Sequence, residues 1–256
     1  RNMKKRKAGI VIFVIVLIIT AVRIKSMDSH RISGRILAEN IAGPGMMRLV
    51  EQSMQAQAQK TSVTEIAVKE WKHPQAALTF DDGPDIRYTP LLLDGLKERN
   101  VRVSFFLLGE KVEQYPELVE RMQKEGHLVG NHTYHHVQLN KLNETKAREE
   151  ILKTNNLIYE TTGVYPLYLR PPFGAWKKNL ELCVEMLPVF WTIDTLDWKV
   201  KNTEKIVRTV KEQIEDGAII LMHDEYDTSV EAALQVVDEL KNQGYELVTV
   251  DQLILP

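Results

Sequence analysis

The chain of 256 residues is 44% hydrophobic and 27% charged, which is typical of a globular protein with one sizeable core. Its net charge of −2 is unevenly distributed, because residues 1–25 carry seven Lys or Arg and no acid, whereas the remainder carries 26 basic and 35 acidic residues. This acidic balance excludes the basic folded domain typical of nucleic-acid binding. The single cysteine, Cys183, excludes an intramolecular disulfide.

A basic cluster at residues 4–7 precedes an apolar run at residues 8–22, a pattern that predicts insertion with the N-terminus in the cytoplasm. The run is shorter than the ~20 residues of a usual membrane span, and no small-x-small cleavage site follows it. We expect an uncleaved signal-anchor over residues 1–25. The protein would then be a single-pass protein of the cell membrane, with residues 26–256 outside the cytoplasm. The alternatives are a cleaved signal peptide, which would make the protein secreted, and a buried core helix.

Residues 26–73 are polar and weakly patterned, with a break at Gly43, Pro44 and Gly45. We expect an extracytoplasmic stem that is partly helical over residues 46–60, and the alternative is a disordered linker.

From residue 74 to residue 256 the sequence predicts one α/β domain. Short apolar runs predict buried strands at residues 76–80, 103–108, 128–130, 165–170, 189–193, 218–222 and 246–250. Amphipathic patterns between them predict helices at residues 89–99, 112–125, 146–160, 203–215 and 229–243. About seven parallel strands in this length favour a closed or nearly closed (β/α) barrel over an open sheet. In such a barrel the active site lies at the C-terminal ends of the strands.

The first predicted strand is followed by the adjacent carboxylates Asp81 and Asp82, and then by Gly83 and Pro84. Adjacent carboxylates at a strand end can point in different directions, so that one can bind a metal while the other remains free as a base. The alternative is a solvated turn, since Asp, Gly and Pro are common turn formers.

The third predicted strand is followed by a cluster of three histidines, His132, His135 and His136. Imidazoles at positions i and i+4 can reach one metal ion, and an added carboxylate leaves coordination positions open for water. The spacing therefore predicts that His132 and His136 bind a metal in a catalytic site, whereas His135 points elsewhere.

The fourth predicted strand is followed by Arg170, Pro171, Pro172 and Phe173. The two prolines have no N–H, so the first available backbone donor is the N–H of Phe173, which can stabilise an oxyanion beside a metal. Arg170 can orient a carboxylate. The alternative is a Pro-rich loop without catalytic function.

His223 ends the sixth predicted strand, where it can exchange protons, and a nearby aspartate can hold its tautomer and raise its pKa.

Five segments, in content and in order, resemble the five motifs of the polysaccharide deacetylases of carbohydrate esterase family 4, the NodB-homology domain. They are TFDDGP at 79–84, HTYHH at 132–136, RPPFG at 170–174, DTLDW at 194–198 and LMH at 221–223. The resemblance covers about residues 74–252. It implies a distorted (β/α) barrel with about seven strands, preceded here by the membrane segment and the stem.

The resemblance also implies a role for each motif residue. Asp82, His132 and His136 are the expected metal ligands, with Zn²⁺ as the ion and Co²⁺ or another divalent metal as the alternative. Asp81 is the expected general base, held by Arg170. His223 is the expected general acid, tuned by Asp197, a role that Asp194 can share.

The expected substrate contacts are Pro172, Trp198 as an apolar wall, and the backbone N–H of Phe173. Many members of the family carry Tyr where this chain has Phe173, so contacts made by a Tyr hydroxyl would be absent.

The implied reaction is hydrolysis of N-acetyl groups from a cell-surface polysaccharide, with N-acetylglucosamine of peptidoglycan as the first expectation. Chitin oligomers, an exopolysaccharide and N-acetylmuramic acid are alternative substrates, and an O-acetyl xylan esterase is an alternative enzyme. A catalytically inactive carbohydrate-binding protein on the same barrel is the alternative outside enzymes. The membrane is the other expected partner, through the N-terminal segment.

Overall fold

The structure is a computed structural model that describes residues 73–176 and 186–254. These residues belong to a compact unit that spans residues 69–256. The predicted signal-anchor, the stem up to residue 72 and Cys183 lie outside the described residues. Across the two described ranges, no helix combines the length and the apolarity needed to span a membrane.

A parallel sheet lies at the centre of the domain. In the described residues it has eight strands: β1 (Gln75–Asp81), β2 (Ser104–Leu107), β3 (Leu128–Asn131), β4 (Tyr168–Leu169), β5 (Leu187–Pro188), β6 (Ile193–Asp194), β7 (Ala218–His223) and β8 (Glu246–Leu247). The order along the sheet is β5-β4-β3-β2-β1-β7-β6. β8 pairs with the first two residues of β1, whereas β2 pairs with the last three residues of β1. Every residue of β1 is buried, as the predominantly apolar run at residues 76–80 predicts.

Helices alternate with these strands. They are α1 (Tyr88–Glu98), α2 (Gly109–Gln114), α3 (Pro116–Lys124), α4 (Glu144–Thr162), α5 (Asp197–Val200), α6 (Thr203–Gln213), α7 (Asp227–Asn242) and α8 (Val250–Ile254). Two of the longer helices are capped by asparagine, since the side chains of Asn143 and Asn202 accept hydrogen bonds from the first turns of α4 and α6. The parallel α/β architecture is thus confirmed.

The prediction of one helix over residues 112–125 is wrong in one respect, because two helices, α2 and α3, occupy this segment. Tyr115, with φ −133° and ψ 57°, separates α2 from α3, and Pro116 begins α3. Proline disfavours the helical conformation in the residue before it and has no N–H for the helix ladder, whereas the first position of a helix tolerates it.

The strands predicted over residues 189–193 and 246–250 are also corrected. β5 ends at Pro188 and β6 begins at Ile193, because the carbonyl oxygens of Val189 and Phe190 accept hydrogen bonds from the Arg170 guanidinium. Near the C-terminus β8 ends at Leu247, and α8 begins within the predicted strand.

The sheet curls without closing. β5 and β6 are its two edges and do not pair with each other in the described residues. The chain between Pro188 and Ile193 can span at most about 18 Å, so the two edges must lie near each other. The predicted closed or nearly closed barrel is therefore a curled sheet whose two edge strands, β5 and β6, do not pair in the described residues.

The register of the sheet gathers the polar strand ends at one edge. Asp81 at the end of β1 pairs with His223 at the end of β7, and Asn131 at the end of β3 pairs with Leu107 and Leu169 on either side. Because all of these strands are parallel, the residues that follow them meet at the same edge.

His127 lies at the opposite edge and gives this domain a pH-sensitive group in its core. The residue is 4% exposed, its Nδ1 accepts the backbone N–H of Val103 at 3.1 Å, and its ring packs edge-on against Phe105. Burial lowers the pKa of His127 to about 4. At the pH where an unfolded histidine begins to bind a proton, this ring therefore stays neutral.

We expect His127 to reduce stability on acidification. Above about pH 6.5 the ring is neutral in both states; below it the unfolded chain binds a proton first, so stability is lost as the pH falls towards about 4. Between about pH 7 and pH 5 this group should lower the free energy of unfolding by about 2 kcal/mol. His127→Gln keeps an acceptor for Val103 and removes the titration. Urea unfolding at both pH values should show a smaller pH-dependent loss in the variant, and an equal loss would contradict this origin.

Candidate active site and metal centre

A cavity of about 500 Å³ opens where the C-terminal ends of the central strands meet. Its lining residues are Asp81, Asp82, His132, His136, Phe173, Trp191, Asp194, Trp198, Leu221, His223, Glu225 and Tyr226. Seven of the ten predicted site residues are among them. The other three, Arg170, Pro172 and Asp197, are buried and do not line the cavity.

Asp82, His132 and His136 converge as a set of metal-ligand donors. Their ligand atoms all lie within 4.8 Å of one another. Asp82 Oδ1 is 3.3 Å from His132 Nε2 and 3.4 Å from His136 Nε2. This oxygen is buried and has no hydrogen-bond partner, which is costly unless a cation satisfies it. The orphaned oxygen is the observation that fits a metal to this site.

The two histidines are oriented with Nε2 towards the proposed metal position. His132 Nδ1 lies 2.7 Å from the carbonyl oxygen of Arg170. Because a carbonyl can only accept, Nδ1 donates to it and Nε2 is left with its lone pair towards Asp82. Burial lowers the pKa of His136, although the charge of Asp82 opposes this shift. The lowered pKa of His136 favours the neutral form that a metal requires, and the Nδ1 contact of His132 directs its Nε2 towards the site.

Asp82 favours the charged form. Burial alone would raise its pKa, but the close approach of His132, His136 and His223 outweighs burial and holds the pKa of Asp82 well below its usual range. One carboxylate oxygen and two imidazole nitrogens make a two-His, one-carboxylate set, which suits a divalent ion of the zinc type and leaves positions open for water and substrate.

Asp81 is held by Arg170 rather than by the metal ligands. Arg170 Nη1 donates to Asp81 Oδ1 at 2.8 Å and to the hydroxyl of Thr79 at 2.6 Å. That hydroxyl donates in turn to the carbonyl of Ile220. The other carboxylate oxygen, Oδ2, lies 3.7 Å from His132 Nε2. One oxygen of Asp81 is thus fixed by the guanidinium, and the other faces the metal centre.

His223 is held by Asp197. The two oxygens of Asp197 accept from His223 Nδ1 and from the His223 backbone N–H, both at 2.8 Å. Burial alone would lower the pKa of His223, but the hydrogen bond and charge of Asp197, together with the charges of Asp81 and Asp82, raise it to about 9. His223 Nε2, 3.8 Å from Asp82 Oδ2, is therefore protonated at neutral pH and available as a donor.

Asp194 does not contact His223. Its Oδ1 accepts the backbone N–H of Leu196, a residue in the left-handed conformation (φ 51°) directly before α5. Asp194 thus supports the turn into the helix that carries Asp197.

Phe173 places its backbone N–H and its ring at the cavity. The residue adopts the left-handed conformation, with φ 60°, and is 61% exposed. Its ring centroid is 4.5 Å from that of His136. The N–H groups of Gly174 and Ala175 donate to carbonyls of the prolines, whereas the N–H of Phe173 makes no hydrogen bond to any described residue. It remains available to an external acceptor.

His135 turns away from the metal ligands, as its spacing predicts. Its side chain is 59% exposed, and Nδ1 lies 2.8 Å from Glu150 Oε1.

Sequence reasoning gave no role to several residues of the site. Thr79 lies inside a buried strand, and Trp191 lies in a segment interpreted as an apolar strand, although it lines the cavity. Glu225 and Tyr226, which also line it, lie two and three residues after the LMH motif and could have been included on that ground.

Asp224 is a further buried carboxylate that sequence reasoning missed. It accepts the hydroxyl of Thr89, and burial raises the pKa of Asp224 to about 7 although this bond and the charge of Lys111 oppose it. A Cβ on Gly83 would lie 2.5 Å from Asp224 Oδ1. Only glycine therefore fits after the metal ligand Asp82, because the turn packs directly on this carboxylate.

Comparison with known proteins gives one consistent result. The family described as polysaccharide deacetylase matches residues 69–189. The chain is 43% identical over 177 residues to the peptidoglycan-N-acetylglucosamine deacetylase PgdA of Listeria monocytogenes, covering 69% of this chain and 38% of that protein. It is 40% identical over 186 residues to a peptidoglycan-N-acetylglucosamine deacetylase of Bacillus cereus, covering 70% of this chain and 68% of that protein.

A third relative is known as a sequence and as a structure. The peptidoglycan-N-acetylmuramic acid deacetylase PdaC of Bacillus subtilis is 43% identical over 177 residues, which are 69% of this chain and 38% of that protein. The solved structure of PdaC matches with a TM-score of 0.69 and 42% identity, covering 72% of this chain and 91% of the solved chain. The chain thus spans well under half the length of PgdA and PdaC.

We expect the two adjacent aspartates to differ in metal binding. Asp82→Ala removes the carboxylate from the set of three ligands found in the described residues, so the affinity of the variant for Zn²⁺ should fall by more than the ~10- to 100-fold that loss of an outer-shell partner typically costs. Asp81→Asn leaves all three ligands in place and should bind Zn²⁺ nearly as well as the parent. Competition with a chromophoric chelator measures both affinities. The opposite order would reverse the assignment of the two carboxylates.

Proposed function

Because the chain belongs to the polysaccharide deacetylase family, we propose that it is a metal-dependent hydrolase that removes N-acetyl groups from a polysaccharide. The observation that carries this proposal is the convergence on one cavity of three metal ligands, a carboxylate held by Arg170 and an imidazole held by Asp197. Zn²⁺ is the proposed ion, since two histidines and one carboxylate are a ligand set typical of catalytic zinc. When bound, it would polarise the acetamide carbonyl and lower the pKa of water.

Asp81 is the proposed general base. Its Oδ1 is occupied by Arg170, so Oδ2, which faces the metal ligands, takes a proton from the water that adds to the carbonyl carbon. Adding this water produces a tetrahedral oxyanion. The N–H of Phe173, a cavity-lining residue, makes no hydrogen bond to any described residue and is the proposed donor to that oxygen.

His223 is the proposed general acid. With Nδ1 bound to Asp197, the proton on Nε2 faces the cavity and passes to the amide nitrogen as the C–N bond breaks. The products are acetate and a free amino sugar. An inactive carbohydrate-binding protein would have no need of Asp81, His223 and three metal ligands together, so their joint presence favours the enzyme.

N-acetylglucosamine of peptidoglycan is the proposed substrate. The names of the Listeria and Bacillus cereus relatives support this choice, and the name of the Bacillus subtilis relative makes N-acetylmuramic acid the second candidate. Phe173, Trp191, Trp198 and Tyr226 line the cavity with aromatic faces, on which the apolar faces of sugar rings can pack.

We also propose that the catalytic domain lies outside the cytoplasm and is attached to the cell membrane by residues 1–25. The basic cluster before the apolar run supports this orientation, and peptidoglycan lies on that side of the membrane.

The proposed activity is tested with the full chain in detergent with Zn²⁺, on purified peptidoglycan and on chitooligosaccharides. We expect acetate release from peptidoglycan, and digestion of the product with a muramidase, which leaves the remaining acetyl groups in place, should yield muropeptides that carry glucosamine rather than unacetylated muramic acid. Asp81→Asn and His223→Ala should each lower the rate ~100- to 10,000-fold while keeping Zn²⁺. Glu98→Gln, on the exposed face of α1, is the matched control and should not change the rate. Sugar binding without acetate release by the parent would favour the inactive binding protein.

The proposed location is tested by adding protease to intact cells or protoplasts. Residues 26–256 should be degraded while a cytoplasmic marker protein survives, because the chain lies outside the permeability barrier. Protection of the domain until the membrane is broken would refute the proposed orientation.

A further inference from the structure

The turn that joins the two histidine ligands is conformationally unfavourable. Thr133, directly after His132, has φ 67°, and His136 itself has φ 54°. Left-handed conformations of non-glycine residues cost on the order of 1–2 kcal/mol each. Such a turn persists only where surrounding groups fix it, so the contacts of this turn determine where the two imidazoles lie.

The carbonyl side of the turn is bound by the start of α2. The N–H of Gly109 donates to the carbonyl of Thr133 at 3.0 Å, and the N–H of Glu110 donates to the carbonyl of Tyr134 at 3.3 Å. On the other side, the N–H of Thr133 donates to the side chain of Asn131 at 2.6 Å. These contacts leave the N–H groups of Tyr134 and His135 to be accounted for.

Both of those N–H groups donate to one carboxylate, that of Glu150 on α4. Glu150 Oε2 accepts from the N–H of Tyr134 at 3.0 Å and from the N–H of His135 at 2.9 Å. Its Oε1 lies 2.8 Å from His135 Nδ1. The side chain is 15% exposed, so water competes little for these bonds.

The helix that carries Glu150 is itself fixed against the same strand end. Asn131 Nδ2 donates to the carbonyl of Ile151 at 2.9 Å and to the side chain of Asn155 at 2.6 Å. Ile151 and Asn155 are fully buried, and Asn143 caps the helix. Glu150 therefore projects from a rigid element towards the turn.

We propose that Glu150 is a positioning residue for the metal centre, which holds the turn between His132 and His136 through the N–H groups of Tyr134 and His135. It contacts neither ligand side chain and acts through the backbone between them. The proposal rests on the proposed function only in taking His132 and His136 as metal ligands. It predicts that metal affinity depends on the reach of the residue at position 150 rather than on its charge.

Three substitutions at position 150 separate a dependence on the reach of the side chain from a dependence on its charge. Glu150→Gln removes the charge but keeps an oxygen that can accept both N–H groups, with an amide that can donate to His135. Glu150→Asp keeps the charge but withdraws the carboxylate by about 1.5 Å. Glu150→Ala removes the acceptor. Glu149→Ala, which removes an exposed carboxylate from the preceding position of α4, is the matched control.

The measurement is Zn²⁺ affinity of the full chain by chelator competition, with the visible absorption of the Co²⁺-loaded protein as a second readout. Glu150→Ala and Glu150→Asp should bind Zn²⁺ ~10- to 100-fold more weakly than the parent, as is usual for loss of an outer-shell partner. Glu150→Gln and Glu149→Ala should bind within ~10-fold of the parent. The Co²⁺ spectrum should change in the Ala and Asp variants and stay unchanged in the other two.

Parent-like Zn²⁺ affinity in the Asp and Ala variants, or tighter binding by Asp than by Gln, would overturn the proposal. A purely structural role would lower the unfolding free energy of the metal-free Ala variant without changing its affinity, and this also counts against it. If Glu150→Ala does not fold, the order of Gln and Asp decides. A parent that binds Zn²⁺ but releases no acetate would refute the proposed function while the affinity comparison still decides this inference. A parent that binds no Zn²⁺ overturns both.

Discussion

The buried guanidinium of Arg170 is the interaction on which the arrangement of the site depends. Arg170 is 0% exposed, lies over the ring of Phe106 and binds the carboxylate of Asp81. An isolated charge at such depth would be prohibitively costly, and loss of one partner from a buried pair typically costs about 3–5 kcal/mol. Arg170 and Asp81 therefore require each other. The pair is better understood as a means of fixing the orientation of Asp81 than as a source of stability.

The same residue links parts of the chain that the sheet alone would leave separate. Its guanidinium donates hydrogen bonds to the carbonyl oxygens of Val189 and Phe190, in the segment that connects the two edge strands of the sheet. Its own carbonyl accepts from His132 Nδ1 and so sets the tautomer of a metal ligand. Arg170 thus contacts the proposed base Asp81, the metal ligand His132 and the segment between the two sheet edges. A change at Arg170 would alter all three, which makes Asp81→Asn the cleaner probe of base catalysis.

Sequence reasoning succeeded where chemistry and structure are encoded by neighbouring residues. Apolar runs located the central strands, and the polar residues directly after them identified the cavity, because parallel strands bring their C-terminal ends together. It failed where a distant partner decides the outcome. The segment after Pro188 has the composition of a strand, but its first carbonyl, that of Val189, accepts a hydrogen bond from Arg170, which lies 19 residues away in sequence. Glu150 is one glutamate among several on a polar helix, and only the fold brings it to the turn. Pro116 is the exception, since its signal was local and could have predicted the break.

Adjacent carboxylates on an extended strand point to opposite faces, so Asp81 and Asp82 should not both reach one cavity. They do so here because β1 ends at Asp81 and the backbone reverses at Asp82, where φ is 69°. Asp81 keeps the register that sets it beside His223, while Asp82 turns towards the histidines. The strain at Asp82 is tolerated because Gly83 packs without a side chain on the buried carboxylate of Asp224. The separation of base from metal ligand therefore depends on a single backbone angle, and the glycine that follows it is as necessary to the site as the carboxylates themselves.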